Sequence, residues 1–241
     1  TQAVTKGLDP NVPMKDSGIP WLGEVPAHWQ VSRLKYYVQL NPSKSEVRRL
    51  ADDTLVTFLP MEAVSELGTI DGSRLRSLGE CVGGYTYFAR NDVLLAKITP
   101  SFENGKAALV TDIVTDVGFG STEFHVIRAK HGMSPRYLSY LVRSAYFRFL
   151  GEASMTGAAG QKRVPEDFIA NFLQAFPALS EQELIADYLD RHCAVIDRLI
   201  CNVQKQITAI QEYRQALITD AVTGQIDVRR WEDVQAEAMP S

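Results

Sequence analysis

Apolar residues return at alternating intervals of four and three along the stretch 180–223, SEQELIADYLDRHCAVIDRLICNVQKQITAIQEYRQALITDAVT. Leu189, Ile196, Val203, Ile210 and Leu217 make one series; Cys193, Ile200, Ile207, Arg214 and Ala221 make the other. Nine of these ten positions are apolar, so the spacing is that of a coiled-coil seam. No Pro or Gly interrupts the stretch, Pro177 precedes it and Gly224 follows. Ser180 with Glu183 three residues on predicts a capping box, and Gly224 predicts the stop. The expected element is one helix of roughly 65 Å at about 1.5 Å per residue. Such a seam calls for a partner helix; the alternative is an amphipathic helix lying on its own globular domain. Arg214 breaks the seam, either as a register device or where pairing has frayed.

Upstream the pattern is shorter and mixed. The stretches 55–59 and 92–98 read as strands, and 122–128 alternates as a half-buried strand does. Gly68, Gly72, Gly79, Gly83 and Gly84 mark turns. Ser134-Pro135 opens a helix with Leu138, Leu141, Val142, Ala145 and Phe149 as its core face and Gly151 as its end. Arg136, Arg143 and Arg148 lie off that face, as a solvated surface would place them. A short helix start at Pro165 and a strand-like run to Phe176 follow. Before all this, the stretch 10–30 carries four prolines and predicts an extended arm, strapped down by Trp21, Leu22, Val25 and Trp29. The fold class is therefore α+β, a globular mixed α/β domain followed by one long coiled-coil-forming helix.

Charge adds one distinction. The chain of 241 residues has a net charge of −4. Residues 30–179 hold 17 Lys and Arg against 15 Asp and Glu, a balance of +2, whereas 180–223 hold 4 against 7. A mildly basic globular part permits a local basic face and no more. No run of 18 apolar residues spans a membrane, and no secretion signal is expected in the stretch given. Cys81, Cys193 and Cys201 show no CxxC spacing, which argues against a zinc site or disulfide framework and fits a reducing cytosolic setting. The four histidines form no constellation. There is no phosphate-binding P-loop, no nucleophile elbow, no HExxH and no Asn-Pro-Pro-aromatic box.

Candidate nucleic-acid contacts are easier to find. In ITPSFENGK (98–106), Asn104 and Lys106 can pair with base edges while Thr99 and Ser101 reach phosphates. The stretch 156–163 begins small, with Thr156, Gly157, Ala158, Ala159 and Gly160, and ends in Gln161, Lys162 and Arg163. Small residues let backbone approach phosphate, and the cations neutralise it. Arg74 and Arg76 occupy another glycine-flanked turn. Ordinary surface loops have the same composition.

The chain also repeats itself. TQAVTKGLD at 1–9 and TDAVTGQID at 219–227 agree at five of nine positions. This suggests that the chain starts where an earlier copy of the same helix ends, as the second half of a tandem protein or a half-length relative with a leftover leader and a start at Met14. Taken in order, MKDSGIPWLGEVPAHW, RLKY, LLAKITPSFENGKAALV, GFGSTEFHV, TGAAGQKRVPEDF, PALSEQELIADYLDR and ALITDAVTGQIDV resemble the specificity subunit of type I restriction-modification systems. The resemblance runs from about Val4 to Val228. It implies 1–12 as the tail of a preceding helix, 13–179 as a DNA target-recognition domain, 180–223 as a conserved spacer and dimerisation helix, and 224–241 as a C-terminal tail. It implies a non-catalytic subunit that reads half of a bipartite site in double-stranded DNA, in a prokaryotic cytoplasm. Its helix pairs with a second half-subunit, or with a second copy, through Leu189, Ile196, Ile200, Val203, Ile207, Ile210 and Leu217. The modification (methyltransferase) subunits dock on it and bind S-adenosylmethionine; the restriction subunit joins indirectly, and no cofactor or metal sits on this chain. A 65 Å helix would set two readings up to about 19 base pairs apart at roughly 3.4 Å each. The competing interpretation is a coiled-coil adaptor that never touches DNA.

Overall fold

The computed structural model describes residues 1–158 and 160–226. Ala159 and the tail from Asp227, including the last residue of the repeat, lie outside the described residues. Contacts divide the chain after Leu189, eleven residues into the long helix.

The first unit opens with helix α1 (Gln2–Lys6) and a hairpin of β1 (Met14–Asp16) and β2 (Glu24–Pro26). Then come β3 (Gln30–Arg33), β4 (Val38–Leu40), β5 (Leu55–Leu59), β6 (Leu75–Ser77) and α2 (Leu78–Val82). Strands β7 (Thr86–Ala89), β8 (Val93–Ala96), β9 (Ala107–Leu109), β10 (Val117–Gly120) and β11 (Phe124–Ala129) complete the sheets. Helices α3 (Pro135–Val142), α4 (Ala145–Ser154) and α5 (Glu166–Asn171) precede β12 (Leu173–Phe176) and the long α6 (Leu179–Val222). The class is α+β with a long C-terminal helix, as the sequence predicts.

Two four-stranded sheets, β6-β5-β10-β7 and β4-β11-β8-β9, carry the core. Strand β8 reads Val-Leu-Leu-Ala without alternation because both of its faces are covered. Val93 and Leu95 join the cluster that holds the helices, whereas Leu94 and Ala96 join Leu59 and Phe88 between the sheets. Tyr87 and Phe119 turn the other way, onto Leu78 and Cys81 of α2. The same double burial corrects β11, expected half-buried: Phe124 to Ile127 are all buried. The His125 Nε2 lies 2.9 Å from the Val164 carbonyl, which requires that nitrogen to carry the proton.

The proline-rich arm is strapped down. Trp29 is fully buried and its Nε1 donates to Glu181 Oε1 at 3.0 Å. Trp21 stacks on Tyr146 with ring centroids 5.1 Å apart. Helix α1 is held by its Val4 carbonyl, which accepts from Tyr137 Oη at 3.0 Å and Gln174 Nε2 at 2.8 Å.

The single helix expected up to Gly151 is two. Ser134 does cap α3, accepting from the Tyr137 N–H, with Pro135 at the first position. The helix breaks at Ser144, whose hydroxyl donates back to the Leu141 carbonyl at 2.6 Å. The break changes the phase. Phe147 and Gly151 become the buried positions of α4, and the expected core residues Ala145 and Phe149 are exposed. Gly151 is not a stop: a Cβ there would lie 2.3 Å from the Phe102 ring, so the helix needs glycine to approach it.

Helix α6 starts two residues earlier than its capping box predicts. The Glu181 and Gln182 N–H groups both reach the Ala178 carbonyl at 3.0 Å, so Ser180 sits inside the first turn and caps nothing. The buried Gln182 side chain does the fixing instead. It accepts from Ser134 N at 2.9 Å and donates to Gly132 O and Pro177 O, each at 3.0 Å. Arg136, expected to be solvated, reaches Glu183 at 3.2 Å and Asp187 at 2.7 Å on the same helix. The far end closes as a Schellman motif: Gly224 has φ +75°, its N–H meets Ala221 O at 3.3 Å, and Gln225 N meets Asp220 O at 2.8 Å.

Gln182→Met keeps the volume and removes every polar bond, stranding Ser134 N–H and two carbonyls. Urea denaturation should show a loss of about 3 kcal/mol.

Candidate nucleic-acid interface

Three loops meet at one rim of the first unit. The segment 60–74 lies between β5 and β6, 97–106 between β8 and β9, and 155–165 between α4 and α5. Phe102, fully buried, plugs the second loop against α4 at Gly151. The Thr99 N–H donates to Lys162 O, and Thr99 Oγ1 both donates to Gly160 O at 2.6 Å and accepts from Lys162 N at 3.2 Å. Thr156 and Arg163 close the third loop by paired backbone bonds. Asn104 Nδ2 reaches Glu66 Oε1 at 2.8 Å and Lys106 Nζ reaches Met61 O at 3.3 Å, joining the second loop to the first.

The rim thus brings together the candidates, but it divides their labour. Thr99 is a clamp between loops and has no hydroxyl left for phosphate. Arg163 forms a two-pronged bond to Glu123 at 2.9 and 2.8 Å. That hydrogen bond holds the Glu123 carboxyl below its usual value of 4.5. Arg74 is paired to Glu62 at 3.1 Å, and Asn104 is spent on Glu66. Lys106 leans on a carbonyl and keeps donors to spare. Gln161 and Lys162 are exposed, with no side-chain partner among the described residues, and Thr156 is exposed beside them. Ser101 is half-buried, and its carbonyl accepts from Lys106 N. Arg76 stands apart from the carboxylates. Its guanidinium carbon sits 3.8 Å above the Phe58 ring centroid, with Tyr85 Oη at 3.1 Å.

Two cations escape a reading of the sequence. Arg143 NH2 donates to Leu67 O at 2.5 Å, and the Arg148 guanidinium packs at Gly105 with its Nε buried and unbonded. Both support loops of the rim, Arg143 from the end of α3 and Arg148 from within α4. Helical periodicity assigned them to solvent, and the Ser144 break that redirects this segment has no strong local signal. Arg128 is a cation withheld: it grips buried Asp92 at 2.6 and 2.8 Å inside the sheets. Among the described residues no group of three His, Cys, Asp or Glu could hold a metal, and no helix is long and apolar enough to cross a membrane.

On α6, Leu189 packs partly against the core of the first unit. The later seam positions Ile196, Ile200, Val203, Ile207, Ile210 and Leu217 are exposed, from 40% to 66%. Arg214 is exposed too.

No protein-family model matches the chain. It is 34% identical over 218 residues to the type I restriction enzyme EcoEI specificity subunit of Escherichia coli, covering 86% of this chain and 35% of that one. It is 36% identical over 200 residues to the EcoAI specificity subunit from the same species, covering 81% and 33%. The chain therefore spans about a third of the length of the curated relatives it matches. In fold it is similar to a chain of a type I restriction-modification system solved to explain complex assembly and conformational transition, at TM-score 0.64, 22% identity and coverage of 85% and 51%. The HsdS subunit of Thermoanaerobacter tengcongensis gives 0.59, 22%, 83% and 49%.

The Glu123–Arg163 pair makes stability depend on pH. A carboxyl held low in the folded state stabilises above its unfolded value and loses that contribution as pH falls through the folded one. Wild type should exceed Glu123→Gln in unfolding free energy at pH 7, and the gap should close below pH 4.5, as followed by urea titrations across that range.

Proposed function

We propose that this chain, which belongs to the specificity subunits of type I restriction enzymes, reads one half of a two-part site in double-stranded DNA. The observation that carries the reading is the rim. Loops 60–74, 97–106 and 155–165 are bonded to one another, while Lys162 and, on the adjoining β6, Arg76 keep cationic donors without a carboxylate partner among the described residues, and Lys106, near Glu62, keeps ammonium hydrogens beyond its bond to Met61 O. Clamps made by Thr99, Arg163, Asn104 and Arg143 hold the loops, so a duplex meets a preformed surface and less order has to be imposed on binding. Phosphate contacts from the free cations would place the duplex, and base contacts would discriminate.

The exposed seam of α6 is the second half of the proposal. Exposed apolar residues at coiled-coil spacing along a helix favour burial against another such helix. The partner is the equivalent helix of a second recognition half, on the same polypeptide or on another copy. Modification subunits then dock on the pair and bring S-adenosylmethionine, with the restriction subunit joining through them. In this arrangement the chain does no chemistry itself and works in the prokaryotic cytoplasm. Two readings held on one frame multiply specificity through effective concentration.

Lys162→Glu in the assembled complex should weaken binding to every duplex alike and lower the slope of log affinity against log salt by about one or more, measured by fluorescence anisotropy from 50 to 200 mM salt. An unchanged slope with sequence selection intact would remove Lys162 from the interface. Unchanged affinity after reversing both Lys106 and Lys162 would favour the protein-only adaptor. Ile200→Asp with Ile207→Asp should convert the purified chain from an assembly larger than 26.8 kDa to a monomer in light scattering.

A further inference from the structure

The cleft beside Arg76 is built differently from the rest of the rim. It encloses about 600 Å³ between β5, β6 and the turns at Gly84 and Ser121. Its back wall is aromatic. Phe58 and Tyr85 meet edge to face with centroids 4.8 Å apart, and the Arg76 guanidinium lies 3.8 Å over the Phe58 ring. Tyr85 Oη engages one guanidinium nitrogen at 3.1 Å. Strand pairing of Arg76 with Val56 fixes the backbone beneath it.

Charge and stacking together set Arg76 apart. Arg74, Arg90, Arg128, Arg136 and Arg163 all face carboxylates, and Arg143, which does not, is spent on the Leu67 carbonyl rather than stacked on a ring. Arg76 faces none among the described residues, although Glu62 lines the same cleft and is taken by Arg74. A stacked guanidinium is held in a fixed plane at little entropic cost on binding, and its remaining donors form a fork. Such a fork fits two acceptors side by side, which are offered by a phosphate or by the O6 and N7 of guanine. Arg76 is the single cation among the residues that line the cleft, with the paired Glu62 beside it, so the lining is not a cluster of cations gathered for phosphate. The cleft also exceeds what a phosphate contact needs, and the Ser121 and Thr122 hydroxyl-bearing residues line it.

We infer that Arg76 is a specificity-determining residue that reads a guanine edge in the major groove, held in register by Phe58 and Tyr85. The inference rests on the DNA-reading assignment above and names the base that one part of that surface selects.

The test uses the chain assembled with its modification subunits and a randomised duplex library, with bound and input pools sequenced. Wild type should select guanine at a fixed position. Arg76→Ala should lose that preference by about 10- to 100-fold and leave selection elsewhere intact. Arg76→Gln should shift the same position toward adenine, because an amide matches adenine N6 and N7. Tyr85→Phe keeps both rings and removes the positioning hydroxyl, so it should blunt the preference at that position alone. A uniform loss of affinity with a reduced salt slope in Arg76→Ala would make the contact a phosphate one and overturn the inference, as would unchanged selection. No selection by the wild-type complex would overturn the DNA-reading assignment itself, and this inference with it.

Discussion

One amide holds the arrangement together. The Gln182 side chain joins the turn before α3, the end of β12 and the first turns of α6 through three hydrogen bonds in a site closed to water. An amide bonded on both its oxygen and its nitrogen fixes orientation as well as position, and a misaligned turn would leave several polar groups buried and unpaired. Glu181, bonded to Trp29 and His28, and Arg136, reaching Glu183 and Asp187, reinforce the same turns from the side. The first eleven residues of α6 therefore belong to the globular unit, and the exposed seam begins where that hold ends.

The sheets leave the rim free to be what it is. Strand β8 and the first four residues of β11 are buried on both faces, and the polar groups in and beside them are satisfied internally: Asp92 by Arg128 and Ala89 N–H, His125 by the Val164 carbonyl. Exposed polar chemistry is left to the connections. Those connections are tied by side chain to backbone bonds such as Thr99 to Gly160 and Arg143 to Leu67, which depend little on the neighbouring side chains. Residues such as Lys162 and Gln161 can then differ while the ties persist.

The sequence made the long helix legible because its signal is periodic and extends over six turns or more, beyond any local accident. The N-cap at Ser134 and the stop at Gly224 were legible because their chemistry is local. The α3–α4 break was not, since Ser144 returning to Leu141 resembles any serine in a helical stretch. The site was legible as loops and illegible as roles. Arg163, Arg74 and Asn104 find carboxylates 40, 12 and 38 residues away in sequence, and no reading of composition anticipates which cation will be claimed. Arg76 looked equal to Arg74 for the same reason; it is the geometry of Phe58 and Tyr85 that separates them.

The way the chain enters and leaves the globular unit has a consequence for inheritance. A side-chain carbon at Gly7 would lie 3.4 Å from Trp29 and 3.5 Å from Glu181, so the strand of polypeptide arriving from α1 and the one departing into α6 are side by side. A module whose two ends adjoin can be exchanged by recombination within the flanking segments, provided that contacts such as those of Val4, Trp29, Arg136 and Gln182 are matched. The whole globular unit can thus be replaced in a single genetic event, without passing through the half-packed intermediates that stepwise change in its loops would entail.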